Sequence, residues 1–257
     1  MEYKKELERL ISDLKTNYLP SVSMDLVIFG FHDGQLKVLL LRWKETDDWC
    51  LPGGRIRHEE NLETAAYRSL RERTGLSELF LQQFHTFGDV IRYKNYSREE
   101  TLTKLGLPDE ALKEFASRDV SVGYYALVEF AGVTPTPDFF AAECRWWDIN
   151  QIPLLLFDHN DMITLALKTL RRQLSYQPIG YNLLPDKFTM PDLQQLYETI
   201  LGQPLDRRNF QKRMLGYGIL ERLDERKTGG AHKAPYLYRF SKEKYEKALA
   251  DEILFVG

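Results

Sequence analysis

The sequence predicts an α+β protein made of two successive modules, residues 1–176 and residues 177–257. In the first module, strand-like runs alternate with helical patterns, whereas the second module shows two helical patterns followed by two strand-like runs. Positive charge is concentrated in the second module. With 43% hydrophobic and 28% charged residues, the composition excludes collagen-like, disulfide-scaffold and wholly disordered chains.

A hairpin and a helix with a glycine stop begin the first module. Val22 to Phe31 and Leu36 to Trp43 are rich in β-forming residues and flank Asp33-Gly34, a dipeptide typical of a tight hairpin turn. Residues 61–74 repeat apolar positions at helical spacing and are followed by Gly75. That pattern predicts a helix that ends at the glycine.

The helical and strand-like spacing of apolar residues also assigns the remaining elements of the first module. The remaining predictions are an amphipathic helix over residues 1–17, strands over 79–93, 120–131 and 146–149, a helical insertion over 94–117 and a helix over 161–174.

The second module has the element order of a winged helix-turn-helix domain. Residues 178–185 are rich in turn formers and predict an ordered linker. Two helical patterns follow, Met190 to Leu201 and Asp206 to Leu215, and then a predicted hairpin whose strands lie near 219–223 and 236–240. Helix, turn, helix and hairpin in this order predict the winged fold.

The charge of the second module favours a polyanionic partner. Residues 206–240 hold nine bases against four acids, a net charge of +5 in a chain whose total is −3, so the remainder carries −8. Arginine and glutamine side chains on an exposed helix face are suited to reading base edges, and basic residues of a wing to contacting phosphate. We therefore predict double-stranded DNA as partner, with a protein-interaction surface as the alternative. The predicted DNA-binding residues are Arg207, Arg208, Asn209, Gln211, Lys212, Arg226, Lys227 and Lys233.

A spaced motif in the first module indicates its family. Gly54, Glu60, Arg68, Leu70, Glu72, Gly75 and Leu76 occupy the register of the Nudix box, and the preceding Trp49 to Gly54 matches its approach. Residues 20–175 therefore resemble a Nudix domain. The resemblance implies an α/β/α sandwich, followed here by the winged helix-turn-helix domain. Glu60 and Arg68 are expected to form an ion pair that fixes the loop to the helix.

The same motif departs from the Nudix pattern where the family holds its metal. The positions of the three helical glutamates that bind Mg²⁺ or Mn²⁺ carry Ser69, Glu72 and Arg73 in this sequence. A hydroxyl and a guanidinium cannot replace carboxylate ligands, because hard cations need several converging anionic oxygens. We predict that the domain is not an enzyme and needs no metal or cofactor. The alternative is a metal-dependent hydrolase of a nucleoside diphosphate derivative that uses Glu59 or Glu60 instead.

Together the modules resemble the Nudix-related transcriptional regulators of the NrtR and AraR type. The similar segments are Asp119 to Val128, Leu156 to His159 and Pro178 to Thr189. The resemblance implies a regulator that senses a sugar, a sugar phosphate or an ADP-ribose-like metabolite, and we predict that it is cytoplasmic and homodimeric. The insertion at 94–117 departs from the compact form of that family.

Candidate effector-binding residues are the polar residues expected at the cleft of the first module. His159 is predicted to make a hydrogen bond at a strand-to-helix junction rather than to act as a catalytic base. The candidate effector-binding residues are Arg55, Glu72, Asp89, Arg92 and Arg118.

A cytoplasmic location also fits the apolar runs of the sequence, which are far shorter than the roughly 20 residues of a membrane span.

Overall fold

The computed structural model describes residues 5–6, 9, 12–13, 16–44, 46–76, 80–92, 103, 118–137, 139–174, 181–227 and 234–250. The first module contains strands β1 (Tyr18–His32), β2 (Gln35–Trp43), β3 (Trp49–Cys50), β4 (Gly53–Arg57), β5 (Phe80–Phe87), β6 (Val120–Glu129) and β7 (Ala141–Asp148), with helices α1 (Leu62–Thr74) and α2 (His159–Leu174). The second contains β8 (Phe188–Thr189), α3 (Met190–Leu201), α4 (Arg207–Gly216), β9 (Leu220–Arg226), β10 (Tyr236–Phe240) and α5 (Lys242–Ala250).

The strands of the first module form one mixed sheet. Its main path runs β3-β2-β1-β6-β5, with β4 added to β1 and β7 to β2. The β1–β2 hairpin turns at Asp33 and Gly34, whose φ values of 48° and 73° are both left-handed, as a primed two-residue turn requires. Strand β6 lies parallel to β1 and places Ser121 beside Ser23 and Gly123 beside Asp25.

The two faces of this sheet are covered by different helices. Alternating residues of β1 divide between two apolar clusters: Leu26 and Ile28 pack with α1, and Val27 and Phe29 pack with α2. Because successive strand residues point to opposite faces, a single strand supplies both cores. The result is the α/β/α sandwich that the resemblance implies.

Local sequence signals set the ends of the helices. Asn61 caps α1 by accepting a hydrogen bond from the Thr64 amide at 2.8 Å, and Gly75 ends the helix with a φ of 74°. Thr189 and Asp192 form a reciprocal capping box at the start of α3. Asp206 caps α4 through the Asn209 amide at 2.9 Å.

The second module is a winged helix that packs against the first. Strands β8, β10 and β9 form its small antiparallel sheet. The ring of Tyr197 on α3 meets the ring of Phe210 on α4 at 5.3 Å. Thr199 donates a hydrogen bond from Oγ1 to the Gly34 carbonyl at 3.1 Å, and Arg171 donates from Nε to the Ile200 carbonyl at 2.7 Å. The α2-side core therefore continues into the winged helix.

Several predicted boundaries are corrected. The strand predicted over 79–93 ends at Phe87, because the chain then turns so that Arg92 enters the interior. The strand predicted from residue 146 already begins at Ala141, and helix α5 was not predicted. The described residues of 1–17 are helical and exposed. The insertion predicted over 94–117 lies outside the described residues except for residue 103.

No helix within the described ranges combines the length and the apolar character that crossing a membrane requires.

Candidate functional site

The diglycine turn at Gly53-Gly54 stands between two groups of polar side chains. A Cβ atom at Gly53 would lie 2.5 Å from Asp25 Oδ1 and 2.6 Å from the Met24 carbonyl oxygen. A Cβ atom at Gly54 would lie 3.1 Å from Ser69 Oγ of α1. Because adjacent strand residues face opposite ways, Gly53 faces one group and Gly54 the other. We call these the cluster side and the box side.

On the box side, an ion pair fixes the loop before α1. Arg68 donates from Nε to Glu60 Oε1 at 2.6 Å and from Nη2 to Oε2 at 2.9 Å. Its Nη2 also donates to the Arg55 carbonyl at 3.0 Å. The hydrogen bonds from Arg68 hold the pKa of Glu60 below its usual value. The predicted structural pairing of Glu60 with Arg68 is therefore present.

The former metal positions on α1 are surrounded by cations. Glu72 lies 3.6 Å from Arg68 Nη1 and 3.9 Å from Arg73 Nη2, while Ser69 is buried and faces the glycine turn. Two guanidinium groups beside one carboxylate oppose a divalent cation electrostatically. Among the described residues, no group of three His, Cys, Asp or Glu side chains is arranged to hold a metal ion.

On the cluster side lies a group of buried and half-buried ionisable residues, the acidic cluster, formed by Asp25, Arg92, Asp119, Asp158 and His159. Arg92 is only 4% exposed and donates to both oxygens of Asp158, at 2.9 and 2.8 Å. It also lies 3.5 Å from Asp25 and 3.6 Å from Asp119. Burial opposes the charge of Arg92, but these three carboxylates raise its pKa above the ordinary value.

Asp25 is held ionised by the surrounding donors. Ser121 donates to its Oδ2 at 2.6 Å, and His159 Nε2 lies 3.5 Å from its Oδ1. His159 Nδ1 accepts a hydrogen bond from the Leu51 amide at 2.9 Å, so Nδ1 carries no proton and the N–H at Nε2 faces Asp25. Burial raises the pKa of Asp25, yet His159, Arg92 and Ser121 together lower it to about 2.

A strained residue positions one edge of the acidic cluster. Phe157 has a φ of 60°, a conformation that non-glycine residues adopt at a cost and that concentrates at functional sites. Its ring packs 4.9 Å from the His159 ring and 5.9 Å from the Trp43 ring. The turn at Phe157 thus delivers Asp158 and His159 together at the start of α2. The predicted hydrogen-bonding role of His159 agrees with this geometry.

The second module exposes a polar helix. Phe210 and Met214 are the buried residues of α4, whereas four of its predicted residues are exposed and Gln211 is half-buried. The exposed residues are Arg207, Arg208, Asn209 and Lys212.

The predicted wing residues differ in their contacts. Arg226 is exposed, donates to the Ala234 carbonyl at 2.8 Å and lies 3.9 Å from the centroid of the Tyr236 ring. Lys227 is ion-paired with Asp192 at 3.3 Å. Lys233 lies outside the described residues.

Both modules match known families. The NUDIX domain model matches residues 20–166. The chain belongs to the Nudix family. Behind the Nudix domain, the model described as the NrtR DNA-binding winged helix domain matches residues 180–240. The chain is therefore a Nudix protein with an NrtR-type winged helix.

Relatives of this Nudix protein align with most of its length. The ADPR responsive transcriptional repressor NtrR of Acinetobacter baylyi is 28% identical over 254 residues, which cover 96% of this chain and 92% of the repressor. The crystal structure of Shewanella oneidensis NrtR complexed with a 27mer DNA has a TM-score of 0.68 at 27% identity, over 88% of this chain and 95% of that one. A MutT/nudix family protein from Enterococcus faecalis, with a TM-score of 0.61, 22% identity and coverage of 93% and 96%, shares the fold.

The predicted effector residues are spread over both sides of the Nudix domain. Arg92 is in the acidic cluster, and Arg118 donates from Nη2 to the Gly88 carbonyl at 2.9 Å, next to the exposed Asp89. Arg55 pairs with Ser23 in the register of Gly53 with Asp25 and so belongs to the cluster side, whereas Glu72 is on the box side. The structure thus does not bring the five candidates into one group.

Sequence reasoning missed three members of the acidic cluster. Asp25 had a usable signal, since it is a single acid within the apolar run of β1. Asp119 and Asp158 occur in the segments that carry the family resemblance, but their spacing alone assigns them no partner.

Proposed function

We propose that this protein is a DNA-binding transcriptional repressor whose Nudix domain senses ADP-ribose. The observation that carries the proposal is the match, over 96% of the chain, to an ADPR responsive transcriptional repressor. The likeness to NrtR complexed with DNA spans both domains as well. A chain that keeps both domains, and keeps them packed together through Gly34 and Thr199, is suited to connecting effector binding to DNA binding.

We further propose that the Nudix domain binds its ligand without hydrolysing it. The support is local: Ser69 and Arg73 stand where the family has glutamates, and Glu72 is flanked by the guanidinium groups of Arg68 and Arg73. Hydrolysis in this family needs a divalent cation bound against the diphosphate, and the two guanidinium groups beside Glu72 repel such a cation. Binding without turnover leaves the effector intact as a signal.

The effector-binding surface proposed here includes the exposed or half-buried polar residues on both sides of the diglycine turn. ADP-ribose offers two phosphates and several hydroxyl groups. Guanidinium groups such as Arg55 and Arg118 match phosphate oxygens, and the carboxylates of Asp89 and Glu72 match ribose hydroxyls. Arg92 is already paired with three carboxylates, so we propose that it stabilises the structure of the site rather than contacting the effector.

On the DNA side, we propose that a homodimer presents two copies of α4 to successive major grooves. Half-sites then lie about 34 to 36 Å apart or at multiples of that distance. Arg207 and Arg208 start the helix and are exposed, and arginine reads guanine through two hydrogen bonds. Asn209, Gln211 and Lys212 extend the same polar surface.

The experiment compares wild type with the double variant Arg207→Ala and Arg208→Ala. A gel shift uses a duplex that the wild-type protein selects from a random pool, and calorimetry measures ADP-ribose binding to the same samples. We expect loss of the shifted band with ADP-ribose affinity unchanged. The double variant Lys244→Ala and Lys247→Ala removes two exposed cations from α5 and controls for charge. A shifted band retained in the α4 variant would overturn the role of this helix.

The hydrolase alternative is tested on the wild type. ADP-ribose is incubated with the protein and Mg²⁺ or Mn²⁺, and AMP and ribose 5-phosphate are measured. We expect no product above a protein-free control, whereas catalytic turnover would favour the enzyme.

A further inference from the structure

A groove runs along one stripe of helix α2. Its volume is about 420 Å³, which is within the range of about 300 to 1,000 Å³ typical of small-molecule sites. Two isoleucines from the segment that follows β7, Ile149 and Ile152, complete its lining. The residues that α2 contributes recur every three or four positions, as the residues of one helix face do. They are Asn160, Ile163, Thr164, Leu167, Lys168 and Arg171.

Hydrogen bonds fix the segment that forms the second wall of the groove. Asn160 accepts from the Leu155 amide through Oδ1 at 2.8 Å and donates from Nδ2 to the Pro153 carbonyl at 2.9 Å. At the start of the segment, the Ile149 amide donates to the Leu36 carbonyl of β2 at 3.0 Å. The wall is therefore held against α2 by both of its ends, and the groove exists before any ligand arrives.

The lining is apolar with positive charge along one side. Four of the lining residues are aliphatic, and the hydroxyl of Thr164 already donates to the Asn160 carbonyl at 2.9 Å. The charged residues of the lining are Lys168 and Arg171, both exposed. No acidic residue of the described part of the chain lines the groove. Its charge is therefore complementary to an anion, and its apolar surface to a hydrocarbon group.

Arg171 is held in place but keeps donors for a ligand. Its Nε donates to the Ile200 carbonyl at 2.7 Å, and a Cβ atom at Gly202 would lie 3.5 Å from its Nη2. The side chain thus rests on the C-terminal end of α3. A guanidinium has five N–H donors in one plane, so four belong to the two Nη groups. Two such groups side by side match the two oxygens of a carboxylate.

We propose that this groove binds a monocarboxylate with an aliphatic chain. The carboxylate accepts from the Nη groups of Arg171, Lys168 adds a second positive charge, and the chain packs along Ile152, Ile163 and Leu167. The inference goes beyond the proposed function, because none of the lining residues belongs to the acidic cluster, to the box side or to α4. Since Arg171 also holds the Ile200 carbonyl, the ligand lies beside the contact between the two modules.

The test measures the binding of octanoate to the full chain by isothermal titration calorimetry. Octan-1-ol has the same chain without the charge, and octylammonium carries the opposite charge. We expect saturable binding of octanoate, and binding about tenfold weaker or less for the other two compounds, because hydrogen bonds between charged groups are the strong ones. Each methylene removed from the chain of the acid should weaken binding about twofold to fourfold.

Variants of α2 locate the site. Thr164→Trp places a large ring in the groove from an exposed position and should abolish octanoate binding. Arg171→Met keeps most of the side-chain volume but removes the donors, so it should bind octanoate as weakly as wild type binds octan-1-ol. Arg172→Met is the matched control, since it removes the same charge from the next residue of α2, which does not line the groove. Its affinity should equal that of wild type. Circular dichroism confirms that each variant is folded.

Several outcomes would overturn the inference. Absence of octanoate binding to wild type removes the site, and equal affinities for octanoate and octan-1-ol remove the recognition of the anion. Octanoate binding that persists in Thr164→Trp places the ligand elsewhere. If octanoate does not bind and Thr164→Trp lowers the sedimentation coefficient, a second copy of this chain covers the groove instead. None of these measurements uses DNA or ADP-ribose, so their outcome is independent of the proposed function.

Discussion

Arg92 donates two hydrogen bonds to the carboxylate of Asp158, from Nε at 2.9 Å and from Nη2 at 2.8 Å. The pair joins the segment after β5 to the residue that precedes α2. Two more carboxylates, Asp25 and Asp119, lie within 3.6 Å of the same guanidinium. A single buried cation therefore compensates three half-buried acids, and the cluster depends on it.

Replacing Arg92 is expected to destabilise the fold strongly. Arg92→Met keeps most of the side-chain volume but leaves the three carboxylates without their cation. Removing one partner of a buried ion pair typically costs about 3 to 5 kcal/mol, so the free energy of unfolding should fall by about that amount in urea titrations. Arg118→Met, at an exposed arginine, is the control and should change it by less than about 0.5 kcal/mol. Similar losses in both variants would contradict a special role for Arg92.

The acidic cluster also predicts how stability depends on pH. The pKa of Asp25 is about 2 in the folded protein, below its ordinary value of 3.8. A depressed folded pKa means that the unfolded chain binds the proton more tightly, so the stabilisation is present above pH 3.8 and is lost as the pH falls toward 2. The shift corresponds to about 2 kcal/mol.

Denaturant titrations between pH 2 and pH 5 measure this dependence. Asp25→Asn retains an acceptor for Ser121 but cannot titrate, so its stability should fall less steeply than that of wild type over this window. Parallel curves for the two proteins would show that Asp25 does not carry the effect.

The diglycine turn predicts a steric effect. In Gly53→Ala, the new Cβ would meet the Met24 carbonyl at 2.6 Å and Asp25 Oδ1 at 2.5 Å, and the backbone oxygen cannot move aside. Overpacking of this kind typically costs about 1 to 3 kcal/mol, which a lowered melting temperature would report. Gly88→Ala is the control, because its nearest neighbour would be 3.8 Å away. Equal melting temperatures for both variants would refute the steric argument.

Much of the fold was predictable from local signals. The Asp33-Gly34 turn, the Gly75 stop and the ion pair of Glu60 with Arg68 each depend on residues close in sequence, and the structure has all three. Periodicity also placed α3 at its observed bounds. Such features can be recognised in the sequence because the interacting residues are close to one another along the chain.

The acidic cluster was not predictable in the same way. Arg92 and Asp158 are 66 residues apart, and Asp25 and Ser121 are 96 apart. No periodicity relates such residues, because their contact is created by the parallel pairing of β1 with β6 and by the entry of α2. The strand predicted over 79–93 is present but ends at Phe87, since the apolar Val90 and Ile91 resemble strand residues but precede the inward turn of Arg92.

Helix α2 connects the acidic cluster to the winged helix and predicts where effector binding is transmitted. Its first residue, His159, faces Asp25. Near its other end, Arg171 donates to the Ile200 carbonyl of α3, and α3 packs on α4 through Tyr197. A displacement of α2 by the effector would therefore move the hydrogen bond that holds α3.

Arg171→Ala should separate the two binding events. We expect nearly normal affinity for ADP-ribose alone and for DNA alone, while the factor by which ADP-ribose weakens DNA binding falls about fivefold or more, within the usual range of coupling energies. Titrations of DNA with and without ADP-ribose measure this factor. Lys168→Ala, at an exposed residue of the same helix, should leave it unchanged. If Arg171→Ala retains the wild-type factor, coupling runs through other contacts, because a ligand shifts an equilibrium only through interactions that differ between the two states.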